Sequence, residues 1–258
     1  MAFQAIIYEV REGVGYITLN RPEVMNARNR LMTAEICQAC DEAEADEHVR
    51  VVIFSGAGDR AFSTGRDLKE VAATGDGGAP GPARRDHAVV AAMTKPTIAA
   101  VHGYAVGGGC ELALACDLRV CTEDARMGLM EARRGLMPGS GGMQRMPRAI
   151  GRPKALELTL TAEPIDGKEA LRIGLVNRVV PTKGELMPEA ERLAKQITQN
   201  APVAVRLIKQ AITQGIEMTL DQALRLDATL ISINSATEDS KEGPRAFAEK
   251  RQAVWKGR

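Results

Sequence analysis

Aromatic side chains are scarce in this chain of 258 residues, which has four Phe, three Tyr and one Trp. Proteins that bind single-stranded nucleic acid use such rings as stacking surfaces, and few are available here. An excess of charge of one sign is also missing, since 34 Lys and Arg stand against 33 Asp and Glu for a net charge of +1. This balance provides no general attraction for a polyanion or an anionic membrane surface. We therefore expect neither nucleic acid nor a membrane as a partner.

The sequence also lacks an apolar run of the roughly 18 residues that a membrane-spanning helix requires. Its first residues, MAFQAIIYEV, have neither the basic flank nor the cleavage site of a targeting segment. The five cysteines are an odd number, which argues against a disulfide framework. These observations predict a cytoplasmic protein.

Cys37 and Cys40 form a CxxC pair that could be half of a zinc site or a redox pair. No second CxxC follows, and the surrounding AEICQACDEA is typical of the middle of a helix. Free cysteine usually behaves as a small core hydrophobe, so we expect a buried and inert pair.

The first part of the chain alternates between strand and helix patterns. QAIIYEV and VGYITLN predict a hairpin that turns at Gly13, and the apolar runs VRVVIFSG and PTIAAVHG predict strands covered on both faces. A helix is expected from about Asn29 to Glu47, and residues 74–82, TGDGGAPGP, have the composition of a loop. These patterns predict an α/β core.

Past about residue 185 the patterns are helical only. Asn200 stands where an N-cap is expected, and Pro202 would lie in the first turn of the helix that follows. We therefore divide the chain into a core over residues 1–190 and a helical segment over residues 191–258. The helical segment is strongly apolar on one side, so we expect it to pack on its own core or on a neighbouring subunit.

One glycine pattern resembles a dinucleotide-binding fingerprint, the GxGxxA of Gly56 to Ala61 after the strand VRVVIFS. No helix pattern opens after it, and the element before the strand is a long helix rather than the first strand of a βαβ unit. A phosphate-binding GxxxxGK[ST] loop is absent from the sequence. We interpret Gly56 and Gly58 as a tight turn rather than a nucleotide site.

Three consecutive glycines, Gly107, Gly108 and Gly109, stand between a predicted buried strand and an apolar helix. Without side chains, the first backbone amides of such a helix can bind an oxyanion or a carbonyl oxygen. Close packing of the turn against the helix is the alternative explanation. Glu111 follows in an otherwise uncharged helix, and a carboxylate in such a place needs a partner or a raised pKa.

A second glutamate, Glu131, begins a segment that ends in the glycine-rich turn Pro138-Gly139-Ser-Gly141-Gly142. Two glutamates 20 residues apart prove nothing by their spacing alone. They form a catalytic hypothesis only if the fold brings both to one cavity.

The sequence resembles the crotonase (enoyl-CoA hydratase/isomerase) superfamily over essentially its whole length. The matching stretches are LNRPEVMNA, AFSTGRDLKE, KPTIAAVHGYAVGGGCELALACD, GLMPGSGGMQR and AFAEKRQAVWKGR. This resemblance implies a spiral of ββα units with a helical C-terminal trimerisation region, assembled as a homotrimer or a dimer of trimers. The substrate would be an acyl-CoA thioester.

The resemblance also implies a role for each candidate catalytic residue. The backbone amides of Arg66 and Gly108 would polarise the thioester carbonyl. Glu111 would hold and deprotonate the attacking water, Glu131 would deliver a proton to the α-carbon, and the backbone of Gly139 would help to position the water. The two carboxyl groups must differ in protonation, which like charges in a small cavity favour.

Coenzyme A recognition would involve two stretches near the active site and one lysine near the C-terminus. By resemblance, the binding residues are Val24, Met25, Arg66, Asp67, Leu68, Lys69, Gly108, Ile231 and Lys250. Lys250 would reach the coenzyme A of a neighbouring subunit, with a plain surface lysine as the alternative. Ile231 replaces an aromatic residue of the acyl pocket and Met130 replaces a common proline, which leaves the preferred acyl chain open.

The sequence thus predicts an enoyl-CoA hydratase that needs no metal and no cofactor beyond the coenzyme A of its substrate. The alternatives within the family are an enoyl-CoA isomerase and a hydratase or dehydratase of a specialised acyl-CoA. A non-catalytic member that binds acyl-CoA or RNA is an alternative of another class. The near-neutral charge and the intact pair of glutamates argue against it.

Overall fold

A computed structural model describes residues 3–74 and 85–258. Apart from Thr74, the segment predicted as a loop lies outside the described residues. The strands are β1 (Ile6–Arg11), β2 (Val14–Leu19), β3 (Val51–Gly56), β4 (Ala61–Ser63), β5 (Thr97–Val101), β6 (Tyr104–Val106), β7 (Leu118–Thr122), β8 (Arg126–Gly128) and β9 (Arg178–Val180). The helices are α1 (Arg30–Ala45), α2 (Leu68–Thr74), α3 (Arg85–Ala92), α4 (Gly108–Ala115), α5 (Gly142–Ile150), α6 (Arg152–Thr161), α7 (Gly167–Arg172), α8 (Lys183–Thr198), α9 (Pro202–Gly215), α10 (Leu220–Ser235) and α11 (Glu238–Ala248).

The predicted hairpin is confirmed. β1 and β2 pair antiparallel, with Ile6 opposite Leu19 and Arg11 opposite Val14. Glu12 and Gly13 form the turn at φ angles of 49° and 80°. Left-handed φ at both central positions suits a two-residue hairpin, because that turn matches the twist of the strands.

The described strands form two sheets that the chain visits alternately. The larger has the order β1-β2-β3-β5-β7-β9 and is parallel from β2 onwards; the smaller, β4-β6-β8, is parallel throughout. A strand of the large sheet leads to a strand of the small sheet and then to a helix, as in β3-β4-α2, β5-β6-α4 and β7-β8-α5. This repetition confirms the predicted spiral of ββα units.

The continuous apolar runs are explained by burial on both faces of the large sheet. Val52 and Phe54 of β3 belong to the core cluster on the side of α1 and α4. Val51 and Ile53 point the other way, into a second cluster with residues of α8. Strands buried on both faces read as unbroken apolar sequence, so the prediction for β3 and β5 is confirmed.

Helix α8 covers one face of the large sheet and spans residue 190, where we placed the domain boundary. The division into residues 1–190 and 191–258 stays a prediction. Asn200 was wrongly predicted as the N-cap of the next helix: Ala201 takes that position, and Pro202 lies in the first turn as expected. The Asn200 side chain instead donates to the carbonyl of Gln196 at the end of α8.

The GxGxxA segment is a turn between β3 and β4, as we interpreted it. A Cβ atom on Gly56 would lie 2.6 Å from the carbonyl oxygens of Ala61 and Phe62, and Gly58 has a φ of +73°. Both positions therefore require glycine for backbone packing and conformation. The element that follows is the short strand β4, with no helix at which a pyrophosphate could bind.

The CxxC pair lies on α1, where Cys40 is buried and Cys37 is half-buried, and neither forms a disulfide bond. Within residues 3–74 and 85–258, no three His, Cys, Asp or Glu side chains are grouped to hold a metal ion. In the same residues, no helix has both the length and the apolar character needed to cross a membrane.

Candidate active site

A cavity of about 1000 Å³ opens between the loop after β4, the start of α4 and the segment after β8. All but two of the predicted site residues line it: Val24, Met25, Arg66, Asp67, Leu68, Lys69, Gly108, Glu111, Glu131 and Gly139. The fold thus brings together residues that are up to 115 positions apart, from Val24 to Gly139. Both glutamates line this one cavity, which was the condition for the catalytic hypothesis.

Two backbone segments, one at Gly65 and one at Gly108, meet at the cavity. Gly65 has a φ of +88°, and a Cβ atom there would lie 2.7 Å from the backbone nitrogen of Gly108. A Cβ atom on Gly108 would lie 3.6 Å from the backbone nitrogen of Arg66. The glycines therefore bring the Arg66 and Gly108 amides next to each other, which a larger residue at either position would disturb.

The orientation of these amides follows from their neighbours. The Arg28 N–H donates to Gly65 O at 2.7 Å, and the Asp67 N–H donates to Arg28 O at 2.9 Å. In this parallel bridge, the amide of the intervening Arg66 points away from Arg28. Gly108 is the first residue of α4, so its N–H has no acceptor within its own helix and lies at the positive end of the helix dipole.

Glu111 lies in the first turn of α4 and is only 2% exposed. Its Oε1 atom accepts hydrogen bonds from the backbone amides of Ser140 at 2.7 Å and Gly142 at 2.9 Å. These two hydrogen bonds fix the orientation of the carboxyl group. The glycine-rich turn that follows Glu131 in the sequence therefore holds the carboxyl group of Glu111 through two backbone amides.

Glu131 begins a short 3₁₀ helix, Glu131–Arg134, and lines the same cavity. Burial and, to a smaller extent, the nearby charge of Glu111 raise the pKa of its carboxyl from 4.5 to about 7. Its Oε2 atom is buried and has no hydrogen-bond partner among the described residues. A Cβ atom on Gly107 would lie 3.2 Å from Oε1, so a glycine there leaves room for this carboxyl.

The two carboxyl groups therefore have contrasting environments. Glu111 is held by two backbone amide donors, whereas burial of Glu131 favours its protonated form near neutral pH. Such a pair can act as base and acid at the same time.

The rest of the cavity lining includes charged and apolar side chains, with the acids Glu23 and Glu70 among the charged ones. The exposed or half-exposed cations that line it are Arg30, Arg60, Arg66, Lys69 and Arg134. The apolar side chains that line it include Leu68, Tyr104, Leu136, Met137 and Met143. This combination suits a ligand with an anionic part and an apolar part.

Asp67, predicted to contact coenzyme A, has structural contacts of its own. Its Oδ2 atom pairs with Nη1 of Arg21 at 3.0 Å, and its Oδ1 atom accepts from the backbone amide of Lys69 at 3.1 Å. These bonds hold the start of α2 against the loop of Arg21.

Ile231 and Lys250 are not among the described residues that line the cavity. Ile231 is 64% exposed on α10, in a groove between α9 and α10, and Lys250 follows α11 with a φ of 54°.

Several cavity residues were missed by the sequence reasoning. Ser140 contributes its amide to Glu111, and Tyr104, Leu136 and Met143 line the apolar part. Ser140 lies inside the glycine-rich turn that we singled out, which was a usable signal. The other three have no signal in the sequence, because their placement depends on how the segments pack.

Comparison with known proteins gives a consistent result. The family profile described as enoyl-CoA hydratase/isomerase matches residues 9–258. A protein named crotonyl-CoA hydratase from Syntrophomonas wolfei subsp. wolfei is 40% identical over 258 residues, which cover 98% of each chain. A short-chain-enoyl-CoA hydratase from Clostridium acetobutylicum is 41% identical, covering 98% of this chain and 97% of that protein.

A solved structure has the same fold. The crystal structure of an enoyl-CoA hydratase from Bacillus anthracis superposes with a TM-score of 0.93 at 38% identity, covering 99% of this chain and 100% of that chain. With the family profile matched over nearly the whole length, the chain belongs to the enoyl-CoA hydratase/isomerase family.

Proposed function

We propose that the protein is an enoyl-CoA hydratase, which adds water reversibly to a trans-2-enoyl-CoA to give the 3-hydroxyacyl-CoA. The observation that carries the proposal is the pair of glutamates in contrasting environments, Glu111 held by two amides and Glu131 with a pKa raised to about 7. Both line a cavity that the Arg66 and Gly108 backbones also line.

The thioester carbonyl oxygen would accept hydrogen bonds from the amides of Arg66 and Gly108. Negative charge develops on this oxygen as water adds to the β-carbon and the enolate forms. Donors already in place stabilise that charge without reorganisation, and the loss of one such donor typically costs about 2.7–4 kcal/mol. The dipole of α4 adds to the effect, since Gly108 is its first residue.

In the proposed hydration, Glu111 removes a proton from water while the water oxygen bonds to the β-carbon. The protonated Glu131 then gives its proton to the α-carbon, which restores the thioester. The reverse reaction uses the same groups with their roles exchanged. Gly139 lines the cavity and is proposed to position the water through its backbone.

This chemistry is redox-neutral, so the proposal includes no metal and no cofactor other than the coenzyme A of the substrate. The phosphates of coenzyme A would lie among the basic side chains of the cavity wall, near Arg66 and Lys69. Val24, Met25, Asp67 and Leu68 would contact the rest of the coenzyme A. The acyl chain would face the apolar side chains.

We also propose that the chain forms a homotrimer or a dimer of trimers. The support is the apolar groove of α9 and α10, where Ile208, Ile212 and Ile216 are 59%, 66% and 69% exposed. Contiguous apolar surface of this kind marks an interface in a soluble protein. Residues 191–258 would then be the trimerisation region, with Ile231 and Lys250 reaching the site of an adjacent subunit. A cytoplasmic location stays a prediction from the sequence.

The alternative is another acyl-CoA reaction of the family, either isomerisation of an enoyl-CoA or hydration of a specialised acyl-CoA. Met130, Met137 and Met143 line the cavity, and flexible methionine side chains accommodate varied acyl groups. Isomerisation needs one carboxylate to move a proton between two carbons, so it would depend strongly on one glutamate only.

The test is the loss of enoyl-thioester absorbance with crotonyl-CoA, followed for the wild type, Glu111→Gln and Glu131→Gln. We expect each substitution to lower kcat by about 100-fold or more, the usual contribution of an acid or base. Glu157→Gln is the matched control, since Glu157 is an exposed glutamate on α6. Near-normal turnover in both active-site variants would refute the roles, and dependence on one glutamate alone would favour isomerisation. A panel of enoyl-CoAs from C4 to aromatic would define the acyl preference.

A further inference from the structure

A buried arginine, Arg28, lines the cavity beside the proposed oxyanion site. The side chain of Arg28 is 6% exposed, and its Nη1 atom pairs with Asp86, whose side chain is fully buried at the start of α3. Its Nη2 atom donates to the carbonyl oxygen of Gly108 at 3.3 Å. A cation and an anion are thus enclosed next to the first residue of α4.

His87 completes this cluster. Its Nε2 atom lies 3.0 Å from the same Gly108 carbonyl oxygen, and its Nδ1 atom lies 2.8 Å from Oδ1 of Asp86. A carbonyl oxygen only accepts, so Nε2 carries the proton of this bond. Although burial raises the pKa of Asp86, the charge of Arg28 and the hydrogen bonds with His87 and Arg28 hold it well below its usual range. Two side chains thus donate to one carbonyl, and one carboxylate orients both.

The backbone of Arg28 holds the loop that contains the Arg66 amide. Its N–H donates to Gly65 O, and its carbonyl accepts from Asp67 N–H, on either side of Arg66. One residue therefore holds the Arg66 loop through its backbone and the Gly108 peptide through its side chain.

Stability alone does not account for this arrangement. Replacing a buried ion pair with apolar residues of similar size is often neutral or even stabilising. A pair of this kind does, however, impose fixed geometry, because charge-assisted and bidentate contacts are directional. The geometry that it fixes here is the separation of two amides that would bind one oxygen.

We infer that Arg28, oriented by Asp86 and assisted by His87, is a positioning residue that sets the distance and angle between the Arg66 and Gly108 amides. This inference rests on the proposed function in one respect, that these amides polarise a thioester carbonyl. Arg28 itself acts through the backbone of both loops.

The experiment measures carbonyl polarisation directly. Butyryl-CoA with a ¹³C-labelled thioester carbonyl cannot be hydrated, and its bound carbonyl stretch in the infrared reports how strongly the two amides polarise it. The variants are Arg28→Met, which keeps the backbone bonds and removes the guanidinium, and His87→Phe, which keeps the ring and removes the donor. The double variant Arg28→Met with Asp86→Asn removes both charges and therefore leaves no unpaired charge in the interior. It replaces the single variant if Arg28→Met fails to fold. Arg119→Met is the matched control, because half-buried Arg119 also donates to backbone carbonyls, those of Leu175 and Cys116.

We expect wild-type protein to lower the carbonyl frequency on binding, and the Arg28 variants to lose most of that shift. With crotonyl-CoA their kcat should fall about 100-fold, as for a displacement of about 1 Å at a reacting centre, while KM changes less than about 3-fold. His87→Phe should lose less of the carbonyl shift and less of kcat than the Arg28 variants. His87→Gln, which restores a hydrogen-bond donor, should recover part of both losses. Arg119→Met should lower the melting temperature and leave the bound carbonyl frequency as in the wild type.

The inference would be overturned if the folded double variant had the same bound carbonyl frequency and the same kcat as the wild type. It would also be overturned if the wild-type protein did not shift the carbonyl frequency of bound butyryl-CoA. Failure of the proposed function gives a different result: the wild type would shift the carbonyl of butyryl-CoA but would not hydrate crotonyl-CoA. The frequencies of the variants would still decide the role of Arg28 in that case.

Discussion

The Oε1 atom of Glu111 lies 2.9 Å from the backbone nitrogen of Gly142, which is 31 residues further along the chain. A Cβ atom on Gly142 would lie 2.8 Å from Cγ and 3.0 Å from Oε1 of Glu111. Any residue except proline would donate this hydrogen bond, but only glycine leaves room for the glutamate.

Gly142→Ala should therefore displace Glu111 and lower kcat by about 10- to 100-fold, because small displacements at a reacting centre are costly. The added methyl group should also lower the free energy of unfolding by about 1–3 kcal/mol, as overpacking does. Steady-state kinetics with crotonyl-CoA and urea unfolding measure the two effects. Gly184→Ala on α8 is the control, since the nearest atom to its Cβ would be 3.7 Å away. A Gly142→Ala variant with wild-type kcat would contradict this account of Glu111.

The raised pKa of Glu131 predicts a pH dependence of activity. The proposed acid must be protonated in the free enzyme, so kcat/KM for crotonyl-CoA should fall as pH rises through about 7. The residual activity of Glu131→Gln should lack this decline, because the amide does not titrate. A wild-type profile that stays flat from pH 6 to 8 would exclude Glu131 as the acid.

The same shift predicts a pH dependence of stability. The folded pKa of about 7 lies above the ordinary value of 4.5, so the folded state binds more protons between these values. The contribution of Glu131 is fully present below about 4.5 and is lost as pH rises through about 7. Denaturant unfolding at pH 5 and pH 8 should show a smaller loss of stability for Glu131→Gln than for the wild type. Equal losses in the two proteins would contradict the prediction.

Arg66 contributes its backbone to the proposed oxyanion site, and it is one of the cationic residues that line the cavity. Arg66→Ala keeps the amide, so kcat should change little, whereas KM for crotonyl-CoA should rise about 5-fold if the guanidinium contacts a phosphate. The thioester of crotonate with pantetheine, which lacks these phosphates, serves as the control substrate. Its KM should be the same for wild type and variant; an equal rise with both substrates would mean that the side chain acts elsewhere.

The apolar groove of α9 and α10 predicts an effect on assembly. Ile212→Glu together with Ile216→Glu would bury two charges in the proposed interface, so the variant should be monomeric. Light scattering coupled to size-exclusion chromatography measures the mass of the particle. Gln214→Glu adds one charge to an exposed position of the same helix and should leave the wild-type mass unchanged. A trimeric double variant would exclude this groove as the interface.

The sequence by itself determined the class of fold and the chemical groups. The apolar runs predicted β3 and β5. Both glutamates and both glycine-rich turns were identified from two segments, Gly107 to Glu111 and Glu131 to Gly142. These features can be predicted from the sequence because periodicity, glycine content and motif resemblance are local properties of the chain. Asn200 shows the limit of local reading, because its side chain closes the helix before it rather than capping the next one.

Only the tertiary structure decided how these groups act. The contacts of Glu111 with Ser140 and Gly142, and the convergence of Arg28 and His87 on the carbonyl of Gly108, join residues from 21 to 80 positions apart. No local pattern encodes such pairs, since they arise when the spiral stacks one ββα unit on the next. The same holds for the pKa of Glu131, because a carboxyl group acquires a raised pKa from the burial and the neighbouring charge that folding provides.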